Sequence, residues 1–147
     1  MKEKLRSELH NAMKSKDSFR AGVVRMMIAE IINKEKEGSG PVVDEQITSK
    51  IFYRMLRQRK DSIEQYQNAN RDDLAEKEKA EIKIIEEFLP EQLNEEDIKK
   101  EAQAAIDEVG AEDIKSLGKV MGILSKKLAG KASGGVISKI VKDLLAN

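Results

Sequence analysis

The residues in this sequence whose spacing invites a chemical reading are lysines and glycines, not the usual catalytic side chains. In the segment around residues 113 to 128, Lys115, Lys119, Gly122 and Lys126 fall in one narrow stripe at about 100° per residue. The apolar residues Leu117, Met121, Leu124 and Leu128 lie on the opposite side. Gly118 sits one turn before Gly122. A glycine inside a helix costs about 1 kcal/mol relative to alanine, so two of them in one short helix require a reason. A bare backbone between ammonium groups lets a phosphate chain approach closely, and lysine suits phosphate as a point charge. Two other readings fit the same spacing. The glycines could relieve crowding at a helix crossing while the lysines keep the chain soluble. A basic amphipathic helix could also lie on a membrane surface, although here the apolar face is needed for packing.

The charge around this stripe is organised. From Lys115 to the end of the chain there are seven lysines and one acid, Asp143, a local excess of six positive charges. The preceding segment is acidic, with Glu95, Glu96, Asp97, Glu101, Asp107 and Glu108. A second basic cluster, Lys50, Arg54, Arg57, Arg59 and Lys60, is followed by Asp61 and Glu64, which can pair with Arg57 and Lys60 at i+4; this pattern suits a solvated face.

Catalytic constellations are excluded by composition. The sequence has no cysteine and one histidine, His10, in a polar stretch where it reads as solvated. Ser-His-Asp and Cys-His sites and histidine- or thiolate-bound zinc therefore cannot be assembled. No GxxxxGK[ST] or GxGxxG string occurs. The carboxylates alternate with bases, as in Glu76, Lys77, Glu78, Lys79 and Glu81, and read as solvated ion-pair faces. No cofactor or metal is implied.

Seven helices must position these residues, an all-α chain. Aromatics are 3 %, charged residues 37 % and prolines only two, a balance that favours helices with wide solvated faces. Helices are predicted over about 2–14, with Leu5, Leu9 and Met13 as a stripe, and over about 18–36, capped by Asp17. The second helix is apolar over more than half its circumference and should lie centrally. Gly38-Ser39-Gly40-Pro41 ends it. Asp44 caps a third helix over about 45–69. Asn70-Arg71-Asp72 interrupts the pattern and offers a new cap for a fourth helix reaching about Phe88, which Pro90 stops. Asn94 caps a fifth, ended by Gly110. The sixth covers about 113–128 and is broken by Gly130, and Ser133 caps the seventh. The boundary falls between Pro90 and Asn94, giving a helical N-terminal domain over 1–90 and a three-helix C-terminal domain over 91–147.

The net charge is zero, so global charge selects no partner. The start, Met1-Lys2-Glu3-Lys4-Leu5, lacks a secretory h-region, and no apolar run approaches the roughly 20 residues needed to cross a bilayer. With the absence of cysteine, these features give a cytoplasmic expectation and no membrane partner.

Several strings resemble the GatB/YqeY family. Arg57-Gln58-Arg59-Lys60-Asp61-Ser62 is similar to one of its signatures, as is Arg71-Asp72-Asp73-Leu74 followed by Glu76, Glu78 and Glu81. Phe88-Leu89-Pro90-Glu91-Gln92-Leu93 resembles its "YLP" junction, with Phe for Tyr. Leu117-Gly118-Lys119-Val120-Met121-Gly122 resembles its "GKVMG" element, and Gly130-Lys131-Ala132-Ser133-Gly134 its final turn, with Ser133 for the usual Asp. The five occur in the family's order over about 20–146. The resemblance is to the stand-alone YqeY-like proteins, whose C-terminal part resembles the tail domain of the B subunit of aspartyl/glutamyl-tRNA amidotransferase. It implies a helical N-terminal domain, a three-helix C-terminal domain, and contact with the body of a tRNA rather than catalysis. A link to amidotransferase or aminoacyl-tRNA machinery follows from the same resemblance, as does a family-level association with glutamine-dependent carbon–nitrogen ligase activity that these residues do not support. The expected RNA-contacting residues are Lys115, Gly118, Lys119, Gly122, Lys126, Lys127, Gly130, Lys131 and Gly134. The alternative is a protein-interaction adaptor.

Overall fold

A computed structural model describes residues 1–38, 40 and 42–146. Among these the secondary structure is entirely helical: α1 (Lys2–Lys14), α2 (Ser18–Glu35), α3 (Glu45–Asn68), α4 (Asp72–Glu86), α5 (Glu95–Val109), a 3-10 turn (Ile114–Ser116), α6 (Leu117–Lys127) and α7 (Gly134–Ala146). The chain divides into two compact units, Met1–Leu89 and Pro90–Asn147. Ser39 and Pro41 of the turn expected after the second helix lie outside the described residues.

The helix starts follow from side chains that satisfy otherwise orphaned backbone donors. Asp17 accepts from the Arg20 amide at 3.0 Å, Asp44 from Ile47 at 2.9 Å and Asn94 from Asp97 at 2.8 Å. The Ser133 hydroxyl accepts from Val136 at 3.3 Å. Asn70 does a different job from the expected cap. It adopts a left-handed conformation, φ +57°, and closes α3 as Arg71 donates to the Tyr66 carbonyl at 2.8 Å; asparagine is one of the few side chains that tolerates this region. The last expected turn of α4 is instead drawn into i→i+3 bonds over Glu87, Phe88 and Leu89 before Pro90.

In the first unit, α1 packs on α2, α3 on α4, and α2 also meets α3 and α4. Phe52, Val24, Met27 and Ile85 are fully buried between them. The α1 stripe differs from expectation: Ala12 is buried and Met13 is 55 % exposed. Seven residues advance an α-helix by nearly two full turns, so Ala12 lies over Leu5, whereas Met13 has rotated outward. The central position predicted for α2 holds on one side only. Ala21, Val23, Val24, Met27 and Ile31 are buried, but Phe19 and Met26 remain 38 % and 39 % exposed. Arg20 ties three segments together, donating to Glu8 at 3.0 Å and Glu87 at 2.6 Å, and these two carboxylates hold its guanidinium above the usual arginine range. The ring of Phe88 lies under both Arg20 and Lys4, at 6.0 and 5.7 Å from its centroid.

Arg59 is the most enclosed base of this unit. Its Nε donates to Glu81 at 3.0 Å, and Nη1 donates to the Met55 carbonyl at 3.1 Å. The side chains of the pair are only 11 % and 12 % exposed. Removing one member of such a pair strands the other charge away from water, whereas replacing both with apolar groups does not. Glu81→Ala is therefore expected to lower stability by about 3 kcal/mol, and Arg59→Met/Glu81→Leu by much less. Denaturant unfolding of the two variants checks this, and equal losses would contradict it.

Candidate nucleic-acid interface

The second unit places α6 against both α5 and α7. Val120, Leu124 and Leu128 are buried in the core that these helices share with Ile98, Ala102, Ile137 and Val141. The side of α6 opposite this core carries Gly118, Lys119, Gly122 and Lys126, all exposed. The helix begins later than expected. Asp113 accepts from the Lys115 amide at 3.0 Å and starts a 3-10 turn, so Lys115, though exposed, precedes α6 and does not continue its α-helical stripe.

Nothing approaches the two glycines. A Cβ built at Gly118 or at Gly122 meets no atom within 4 Å. Crowding within this unit therefore gives no reason for a glycine at either position, and neither has a positive φ. Gly118 falls in the first turn of α6, where the propensity cost is softened, but Gly122 is interior and carries it fully.

The other expected residues divide by their surroundings. Lys127 is engaged by Glu101 of α5 at 2.7 Å, and hydrogen bonding to that carboxylate, followed by its charge, holds the ammonium above the usual lysine value. Gly130 is buried, with φ +76°, and makes the turn between α6 and α7; its carbonyl accepts from the Gln92 side chain at 2.7 Å. The carbonyl of the next residue, Lys131, accepts from the Leu93 amide at 2.9 Å, while its side chain is exposed. These two bonds fasten the lead into α5 to the α6–α7 turn. Gly134 opens α7, exposed and with open space at its Cβ position, and so does Gly135 beside it. Among the described residues Lys115, Lys119, Lys126 and Lys131 have no recorded ion pair.

The C-terminal unit has further exposed residues that the sequence reading counted only toward the basic excess or did not name as contacts. Gly135 adds a second bare position, for which the signal was the Gly134-Gly135 doublet. Lys139 and Lys142 are exposed on α7 three residues apart, which places them on one helical face. His10, the lone histidine, is exposed on α1. No helix among the described residues is long and apolar enough to cross a membrane.

If Gly122 is retained at a cost to the helix, alanine there should stabilise the protein. Gly122→Ala is expected to raise stability by about 0.5–1 kcal/mol. Thermal unfolding checks this; a loss of stability would show that the glycine serves packing.

The chain matches the family model described as Yqey-like protein over residues 2–145. A relative from Pyrenophora tritici-repentis, "Altered inheritance of mitochondria protein 41, mitochondrial", is 30 % identical over 146 residues, 97 % of this chain and 79 % of that protein. Proteins of the same name from Lachancea thermotolerans and Vanderwaltozyma polyspora are each 39 % identical over 85 residues, 58 % of this chain and 46 % of theirs. The chain thus spans about half the length of these two relatives. The relatives are named as mitochondrial proteins, and this overturns the cytoplasmic expectation. That expectation rested on a missing secretory h-region and missing cysteines, features that address secretion and oxidising compartments but do not separate one reducing compartment from another. Neither the family description nor the relatives' names assigns a reaction. With a family match over nearly its whole length, the chain belongs to the YqeY-like family.

Proposed function

We propose that this protein is a non-catalytic helical module whose C-terminal unit binds structured RNA, with tRNA as the RNA class. One observation carries the reading: α6 presents bare backbone at Gly118 and Gly122 to open space, beside the exposed Lys119 and Lys126. A phosphate chain lying along this face reaches helix backbone that any side chain would mask, with ammonium groups on either hand. The shape of an A-form duplex and its phosphates would be read rather than its bases. The chain has two tyrosines, three phenylalanines and no tryptophan, and none of these aromatics falls after Phe88, so the C-terminal unit offers no aromatic platform for single-stranded bases. The resemblance of this segment to an amidotransferase tail domain supports tRNA and an accessory place beside tRNA-dependent amidation.

Titration of labelled bulk tRNA at several salt concentrations tests this. Saturable binding is expected, with a log–log salt slope of about −3 for three or four phosphate contacts. Lys119→Glu/Lys126→Glu, whose side chains project into solvent, should remain folded and bind at least about tenfold more weakly. Equal binding by the variant, or no binding at low salt, would remove α6 from the account.

A further inference from the structure

A second helix breaks the same rule as α6, in the other unit and without a lysine stripe. Gly22 is interior to α2, and a Cβ built on it meets nothing within 4 Å. At about 100° per residue, Phe19, Gly22, Met26 and Ala29 share an arc of about 80°. This arc lies on the side of α2 away from the buried Val24 and Ile31. Phe19 and Met26 are 38 % and 39 % exposed, and Ala29 is exposed. Two large apolar groups thus flank two small residues at helical spacing. Small residues let a second helix axis come close while larger neighbours fill its grooves. An apolar face of this kind on an otherwise well-packed helix marks an interaction surface.

The charges beside this face select its occupant. Every carboxylate from Asp17 to Glu37 is engaged: Asp17 caps α2, Glu30 pairs with Arg54, Glu35 with Lys2 and Glu37 with Lys34. Arg25 and Lys36 are exposed and without a recorded ion pair among the described residues, and both project within about 40° of the apolar arc. The face is therefore apolar from Phe19 to Ala29, bears Asn33 at its C-terminal end, and is positive along one edge. A second copy of this chain would bring the same two cations to that edge, and like charges brought together across an interface disfavour pairing.

We infer that the outer face of α2 is a docking site for an amphipathic helix of another protein, one with an apolar stripe and carboxylates along one flank. Phe19 and Met26 enter the grooves of that helix, Gly22 and Ala29 form the close crossing, and Arg25 and Lys36 meet its acids. The flexible thioether of Met26, whose sulfur accepts from Arg59 Nη2 at 3.7 Å on one side, suits such a contact on the other.

The test uses the full chain and two synthetic helical peptides about three heptads long. Both carry the same Leu/Ile stripe; one has glutamates along one flank and the other lysines. Fluorescence anisotropy should show saturable binding of the acidic peptide, roughly tenfold or more tighter than its basic counterpart. Gly22→Leu should weaken that binding by at least about tenfold, because its side chain fills the crossing, while the melting temperature stays level or rises. Arg25→Glu/Lys36→Glu should reverse the order of the two peptides. The proposal is overturned by absent binding of the acidic peptide, by equal binding of both peptides, or by indifference to Gly22→Leu. A dimer in sedimentation that Gly22→Leu dissolves would overturn it in favour of self-association. RNA binding through α6 stands or falls separately, because neither α2 variant alters that helix.

Discussion

The rotation of α6 about its own axis is the constraint on which the candidate site depends. Val120 and Leu124 are completely removed from solvent and Leu128 nearly so, because α5 and α7 both pack on the same side of the helix. A unit of this size has few apolar residues to spare, so turning α6 would expose a large part of its core. With that face fixed inward, Gly118, Lys119, Gly122 and Lys126 are directed outward by geometry alone. The turn at Gly130 fixes the other end of the helix, where Gln92 and Leu93 hold the chain entering α5 against the α6–α7 connection. Packing thus sets the orientation of a surface whose own residues contribute little to stability.

Electrostatics then divides that surface. Glu101 of α5 takes up Lys127 and Glu108 adds its charge nearby, while Lys119 and Lys126 form no ion pair among the described residues. A polyanion approaching this unit meets attraction along α6 and repulsion along α5, which restricts how it can lie. The first unit handles charge differently. Arg20, Arg54 and Arg59 are each consumed by carboxylates from other segments: Arg20 and Arg54 tie the α1–α2 pair to the α3–α4 pair, and Arg59 ties α3 to α4. The basic cluster visible in the sequence at residues 50–60 is therefore partly structural, and Arg59 is enclosed rather than presented.

Much of this was legible in the residues. Asp17, Asp44, Asn94 and Ser133 mark helix starts because short polar side chains satisfy orphan amides, a local matter that needs no knowledge of the fold. The outward lysine stripe followed from periodicity in the same way. What escaped required a partner in space. Nothing local says that Lys127 meets Glu101, that Gly130 is buried beneath Gln92, or that Asn70 ends one helix instead of starting another. The late start of α6 reflects Asp113 capping a tighter 3-10 turn, which shifts Lys115 off the stripe that uniform α-geometry predicts. For α2 the sequence pointed to an apolar surface over more than half the circumference and a central place, since composition counts apolar residues without saying how many neighbours are available to cover them.

The central claim is that bare helix backbone on α6 is kept for contact with phosphate. Amide chemical-shift mapping of isotopically labelled protein during addition of tRNA addresses it residue by residue. The account predicts that the amides of Gly118, Lys119, Gly122 and Lys131 shift or broaden first and most, while those of α5 stay in place. Perturbation confined to the N-terminal unit, or spread evenly over the chain, would contradict it.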